Sequence, residues 1–188
     1  MAEFMQGSLP AFETLYGRYK TPVFAFLCRL TGSRQQAEEL QQETFLRMVG
    51  RKDSYRFGAK FAAWLYAIAR NQVVDAKRRE KYRKHASLDQ PARDDGPALM
   101  DRIAGDGPSP DRDSIAKRLQ RDLEKALAAL PEDQREVFLL REYSGLKFQE
   151  IAEITSAKEG TVKSRMRYAL EAMQASLARY GDYARTLG

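Results

Sequence analysis

A row of basic and hydroxyl-bearing side chains follows a short apolar segment near the end of the chain. Arginine and lysine can pair with guanine edges or with phosphates, and hydroxyl groups can contact either. This chemistry suits contact with duplex DNA. The side chains concerned are Lys158, Thr161, Lys163, Ser164, Arg165 and Arg167. They are predicted to lie on the exposed side of a helix whose inner side carries Val162 and Met166.

A second short helix must hold that row in position. Its predicted inner face consists of Ile151, Ala152 and Ile154. The small residues from Thr155 to Ala157 join the two helices and let them cross closely. The stretch from Phe148 to Arg167 therefore predicts a helix-turn-helix, in which the second helix enters the major groove.

Charge is distributed unevenly along the 188 residues. Segments 1–85, 86–114 and 115–188 carry net charges of +8, −4 and +2, which make up the total of +6. The middle segment also holds four of the seven prolines, and it cannot bury enough apolar surface to offset the entropy of ordering it. We therefore predict an N-terminal domain (1–85), an acidic extended linker (86–114) and a C-terminal domain (115–188).

Helical periodicity runs through both predicted domains. In the front domain, Pro22 should kink or restart the first helix, Ser33 and Gln36 should form a capping box, and a long helix should run from Phe61 to about Lys84. In the back domain, Pro131 is expected as the first residue of a helix. The sequence has no strand pattern. The predicted fold is all-α, with two small helical domains joined by a flexible linker.

Catalysis and metal binding find no support in the sequence. One cysteine, Cys28, and one histidine, His85, cannot form a disulfide or a zinc cluster, and Cys28 lies in an apolar run where it should be buried. A glycine-rich phosphate loop and a nucleophile with a histidine partner are both missing. We expect no enzyme activity, no metal and no cofactor. Without a membrane-length apolar run or a charged leader before an apolar block, we expect a cytoplasmic protein.

Four sequence blocks follow one another in a fixed order: AEELQQETFLR (Ala37 to Arg47), FAAWLYAIARNQVVDAKRR (Phe61 to Arg79), LAALPEDQREVFLLREYSGL (Leu127 to Leu146) and the helix-turn-helix. In this order the blocks resemble those of one known family, the extracytoplasmic-function (ECF) sigma factors of bacterial RNA polymerase. The resemblance covers nearly the whole chain outside the linker. It implies two compact helical domains joined by a flexible linker, and a role in promoter selection and opening.

The first block corresponds in the family to the surface that docks on the clamp helices of the polymerase largest subunit. The residues matched to that surface are Glu39, Leu40, Gln42, Glu43 and Phe45. A strongly polar face on this helix is consistent with docking to a basic coiled coil. The alternative is that Glu38, Glu39 and Glu43 form an ordinary solvated face.

The loop from Arg51 to Lys60 and the long helix after it correspond to the part that opens the downstream (minus-ten) element. A protein that melts duplex DNA must capture an unstacked base and hold the phosphates. Side chains of suitable chemistry are Tyr55, Phe57, Lys60, Trp64, Arg70, Asn71, Arg78 and Arg79. Phe61 and Trp64 could instead be core residues. The basic run from Lys77 to Lys84 could be a solvated helix end or a phosphate-binding segment.

The helix-turn-helix corresponds to the reader of the upstream (minus-thirty-five) element, and it departs from the family pattern at two points. Ser156 and Ala157 stand where a glycine and a branched apolar residue are common, and Lys147 replaces a small capping residue. If the structure deviates locally from the predicted helix-turn-helix, we expect the deviation at the Ser156–Ala157 turn.

The resemblance implies a non-enzymatic mechanism. The chain would bind core polymerase, read the upstream element with its back domain and trap the melted downstream strand with its front domain. An anti-sigma factor is an implied further partner. Two alternatives are a stand-alone helix-turn-helix regulator and a helical adaptor without a DNA role. The first needs a receiver pocket or strand pattern that the front half lacks, and the second conflicts with the basic recognition face.

Overall fold

The computed structural model describes residues 1–86, except 57 and 59, and residues 110–180. Most of the predicted linker (86–114) lies outside the described residues. The helices on either side of it end at Ala86 and begin at Pro110. Every regular element of the described chain is helical, which confirms the all-α prediction. None of these helices is both long and apolar enough to cross a membrane.

Three long helices build the front domain. They are α2 (Leu9–Thr31), α3 (Arg34–Gly50) and α4 (Phe61–Ala86), preceded by the short helix α1 (Ala2–Met5). A 3-10 turn, Lys52–Ser54, follows α3. The three long helices pack against one another around a fully buried core of Val23, Phe26, Leu27, Ala37, Met48, Leu65 and Ala69. Gly32 ends α2 with φ of 72°, a left-handed conformation that suits glycine.

Four helices build the back domain. They are α5 (Pro110–Ala129), α6 (Glu132–Phe138), α7 (Phe148–Thr155) and α8 (Glu159–Leu177). A π-helical turn, Leu139–Tyr143, extends α6, and a 3-10 turn, Ala178–Tyr180, extends α8. The helix α8 packs against α5, α6 and α7, and its buried residues Val162, Met166, Ala169 and Met173 line that contact.

The structure differs from part of the local predictions at three places. The helix α2 continues through Pro22, so the helix does not restart there. The hydroxyl of Ser33 accepts from the Gln36 N–H as predicted, but the Ser33 N–H donates to Thr31 Oγ1, so the reciprocal half of the capping box is not made. Pro131 precedes α6 as its N-cap and is not its first residue.

The two domains contact each other along one interface, where buried apolar side chains of both domains join in a single hydrophobic cluster. Four ion pairs cross it in the described chain: Arg29–Glu124 at 2.7 Å, Lys60–Glu150 at 3.4 Å, Arg70–Glu136 at 2.9 Å and Lys77–Glu132 at 2.6 Å. We call these four the interdomain ion pairs. In each of them the base belongs to the front domain and the acid to the back domain. The guanidinium of Arg29 also lies 4.5 Å from the ring centroid of Tyr143 in the π-helical turn.

Candidate nucleic-acid interface

The helix-turn-helix is formed by α7 and α8. Apolar side chains fix their crossing: Ile151 and Val162 are fully buried, and Ile154 and Met166 are nearly so. The Thr155 hydroxyl donates to the Ile151 carbonyl at 2.7 Å and closes the end of α7. The predicted pair of helices and their inner face are therefore present as expected.

The turn between the two helices contains the unusual backbone that the sequence suggested. Ser156 has φ of 53° and ψ of 37°, and it is the one residue other than glycine with positive φ in the described chain. The Ala157 N–H donates to the Ala152 carbonyl at 3.0 Å, which gives a carbonyl at the end of α7 a hydrogen-bond partner. At the start of α7, the Glu150 carboxylate accepts from the Lys147 N–H at 2.7 Å. The two departures from the family pattern are therefore accommodated without loss of the motif.

Five of the six predicted upstream-element residues are exposed on α8 or at its start: Lys158, Thr161, Lys163, Ser164 and Arg167. Arg165 is half-buried, and its Nε lies 2.9 Å from the Asp133 carboxylate on α6. The Ser164 hydroxyl donates to the Gly160 carbonyl at 3.0 Å. The row thus forms a basic face, in which Arg165 has an acidic partner that sequence reasoning did not identify.

The predicted downstream-element residues on α4 fall on different faces of the helix. At 3.6 residues per turn, Trp64, Asn71 and Arg78 share one stripe, since they are seven residues apart. Asn71 and Arg78 are exposed there. Arg70 lies about 100° away from Asn71, and it faces the back domain, where its Nε donates to Glu136 at 2.9 Å. Arg79 is exposed on the opposite flank.

An aromatic cluster precedes that stripe. The Tyr55 and Trp64 rings meet edge to face at a centroid distance of 5.5 Å, and Phe61 lies 5.9 Å from Trp64 and 5.0 Å from Tyr19. Tyr55 is buried, whereas Phe61 and Trp64 are half-buried. Phe61 and Trp64 can therefore serve as core residues or as base-stacking residues, because each ring packs against other rings and stays partly exposed. The predicted residue Phe57 lies outside the described residues.

The predicted polymerase-binding residues divide between the core and the surface of α3. Leu40 and Phe45 are buried, Glu39 and Gln42 are exposed, and Glu43 is half-buried. The Arg47 guanidinium donates to Glu43 at 2.8 Å, and this hydrogen bond lowers the pKa of the Glu43 carboxyl.

An apolar groove lies beside these polar residues. Its volume is about 330 Å³, and it is lined by Phe12, Tyr16, Gln41, Gln42, Phe45, Leu46 and Val49. Leu46 is 68% exposed and Val49 45% exposed, and both side chains line this groove. Sequence reasoning missed both residues, although they share a helical face with Glu39 and Gln42 and could have been found from that spacing.

The described residues contain no group of three or more His, Cys, Asp or Glu side chains that could hold a metal ion. Cys28 is buried, as predicted, and burial raises the pKa of its thiol to about 11. A thiol in this state is a poor nucleophile at neutral pH.

Two family descriptions match the chain in separate regions. Sigma-70 region 2 matches residues 15–83, which span α2 to α4, and Sigma-70 region 4 matches residues 120–173, which span most of α5 to α8. The match to region 2 leaves the stand-alone regulator without support, because the front domain has its own family assignment.

Curated relatives match over most of their length. The ECF RNA polymerase sigma factor SigW of Bacillus subtilis is 30% identical over 172 residues, which are 92% of this chain and 91% of the relative. The RNA polymerase sigma factor CarQ of Myxococcus xanthus is 32% identical over 165 residues, 88% of each chain. These alignments include both domains.

Among solved structures, the sigma factor RpoE of Bartonella quintana, in complex with the anti-sigma factor NepR, superposes with a TM-score of 0.70 at 26% identity. The match covers 90% of this chain and 98% of RpoE, so it includes both domains. CnrH, in complex with the cytosolic domain of CnrY, has the same fold at a TM-score of 0.64. With two sigma-70 regions in order and relatives matched along nearly their full length, this chain belongs to the ECF family of sigma factors, non-enzymatic proteins that direct RNA polymerase to promoters.

Proposed function

We propose that this sigma factor docks on the clamp helices of the polymerase largest subunit through the outer face of α3. The groove beside Glu39 and Gln42 carries the proposal, because exposed Leu46 and Val49 supply an apolar contact next to carboxylate and amide groups. Interfaces of this kind gain affinity from the apolar centre and orientation from the polar rim. The polymerase lies in the cytoplasm, and so therefore would this chain.

DNA contacts are proposed on both domains. The row from Lys158 to Arg167 would read the upstream element in the major groove. The stripe of Trp64, Asn71 and Arg78, with Lys60, Arg70 and Arg79 on its flanks, would hold the melted downstream strand by stacking and phosphate contacts. Tyr55 would support this site from beneath, by packing on Trp64. An anti-sigma factor is proposed as a regulatory partner, by analogy with the complex of RpoE and NepR.

The test is transcription from sheared genomic DNA with core polymerase, with and without the chain, followed by sequencing of the RNA 5′ ends. The proposal expects new start sites that share two sequence elements upstream. Arg165→Ala should reduce transcription from these start sites. If the side chain reads a base edge, the substitution should weaken promoter binding by about 1–3 kcal/mol. Arg118→Ala, an exposed arginine on α5 outside the proposed face, is the control. The absence of new start sites with the unmodified chain would reject the proposal.

A further inference from the structure

The short helix α1 folds back onto the start of α2. Its one buried side chain, Phe4, is 4% exposed, and the ring centroid lies 6.1 Å from that of Phe12. Between the two helices Gly7 adopts φ of 89°, and the Ser8 N–H donates to the Glu3 carbonyl at 3.0 Å. The match to Sigma-70 region 2 begins at residue 15, so α1 lies before the matched segment. That match therefore assigns no role to α1.

The helix α1 also packs against the loop that precedes α4. Besides α2, it contacts the 3-10 turn Lys52–Ser54. The hydrogen bonds of this turn are local: the Ser54 hydroxyl donates to the Arg51 carbonyl at 2.7 Å, and the Tyr55 N–H donates to the Lys52 carbonyl at 3.1 Å. None of its three side chains is buried. A segment with few buried contacts of its own opens easily, so its position depends on the elements packed against it.

The turn leads directly to the aromatic cluster. Tyr55 follows it, is buried, and meets the ring of Trp64 edge to face at 5.5 Å. The Tyr55 ring also lies 6.4 Å from that of Phe61. A continuous set of contacts thus runs from α1 through the 3-10 turn and Tyr55 to Trp64.

We propose that α1 is a brace, which fixes the 3-10 turn and so holds Tyr55 against Trp64. This inference rests on the proposed stacking of Trp64 on the melted downstream strand. Phe4 is a positioning residue in this scheme, because it acts through the turn and Tyr55 and does not touch DNA. A site that is ordered before binding loses less conformational entropy when the strand arrives. Release of α1 should therefore weaken capture of the strand, although every proposed DNA-contacting side chain is still present.

Two substitutions release α1 in different ways. Phe4→Ala removes the buried ring. Gly7→Ala leaves every core atom in place and adds a Cβ that has no heavy atom within 4 Å, so its effect comes from backbone strain at positive φ. Gly17→Ala is the matched control, because Gly17 lies within α2 without positive φ and also has nothing within 4 Å of an added Cβ. Phe24→Ala is the second control, since it removes a half-buried ring from another part of α2.

The first measurement is the fluorescence of Trp64 in the full chain without DNA. Trp64 is the one tryptophan in the sequence, so emission excited beyond the tyrosine band reports on its ring alone. We expect emission at longer wavelength and stronger quenching by acrylamide in Phe4→Ala and in Gly7→Ala. Phe4→Leu restores apolar bulk and should recover the emission of the unmodified chain, as should both controls.

The second measurement is made on the chain bound to core polymerase. A labelled single-stranded oligonucleotide carries the downstream element found at the mapped start sites, and a scrambled oligonucleotide is the reference. If release of α1 reduces the ordered arrangement to between about a third and a tenth of the population, apparent affinity falls by about threefold to tenfold. We expect this loss in both releasing variants, with the affinity of the chain for core polymerase unchanged.

Unaltered Trp64 emission and quenching in both releasing variants would overturn the brace. Altered quenching without weaker oligonucleotide binding would overturn its role in strand capture. Equal changes in Phe24→Ala would overturn it too, because they would come from general loss of stability. Weaker polymerase binding with an unaltered Trp64 signal would also overturn it, because α1 would then support the groove through Phe12. The quenching needs neither DNA nor polymerase, so a complex of the unmodified chain that shows no preference for the downstream element would reject the proposed function separately.

Discussion

Ser156→Gly should stabilise the back domain. Ser156 occupies the left-handed region with φ of 53°, where a residue with a Cβ costs about 1–2 kcal/mol relative to glycine. Its side chain is exposed. Glycine loses about 0.4–1 kcal/mol more conformational entropy on folding. The difference leaves a net gain of about 0.5–1 kcal/mol in the free energy of unfolding.

Urea unfolding of the full chain, followed by circular dichroism at the helical minimum, measures this gain. With a slope of about 2 kcal/mol per molar urea, the midpoint of the back-domain transition should rise by about 0.3–0.5 M. Ala157→Gly is the matched control, because Ala157 does not have positive φ, and glycine there should lower the midpoint. Ser156→Ala keeps the Cβ in the same conformation and should bring no gain. A Ser156→Gly chain no more stable than the unmodified one would refute the argument.

Three other outcomes are expected. Leu46→Ser should weaken binding of core polymerase, measured by titration with labelled chain, while it changes the free energy of unfolding by less than about 0.5 kcal/mol, because Leu46 is 68% exposed. Leu140→Ala, at a fully buried position, should lower that free energy by about 2–5 kcal/mol in urea unfolding. The free energy of unfolding should fall as pH rises from about 9 to about 11, by up to about 1.4 kcal/mol per pH unit, because the unfolded thiol of Cys28 loses its proton first. Cys28→Ala should remove that part of the pH dependence, and an unchanged profile would contradict the assignment to Cys28.

Elements with strong local signals could be predicted from the sequence. The inner faces of α3, α7 and α8 follow from apolar spacing, because a helix repeats every 3.6 residues whatever it packs against. The αL position at Ser156 was foreseeable too, since a family position that favours glycine indicates positive φ. The two-domain arrangement followed from the charge and proline content of the segment between the domains.

Long-range pairing could not be predicted in the same way. Arg70 and Glu136 are 66 residues apart, and nothing local in either sequence stretch indicates their contact. The chemistry of its side chain made Arg70 a candidate DNA-binding residue, but its partner depends on where the back domain packs against α4. Tyr55 was likewise chosen by its chemistry, but it is buried and packs against Trp64, a contact between the loop and α4 that neither stretch indicates alone.

The π-helical turn at Leu139–Tyr143 makes the geometry of the interface between the two domains sensitive to the number of residues in that turn. A π turn contains one more residue than the α turn it replaces, so everything after it is rotated by about 100°. That rotation brings the ring of Tyr143 to the guanidinium of Arg29. Deletion of a single residue from the turn would let α6 continue as a regular α-helix, with its hydrogen bonds intact, and would turn Tyr143 away from the front domain. During evolution, a one-codon deletion or insertion in this turn could therefore change how the domains associate while each domain keeps its own core.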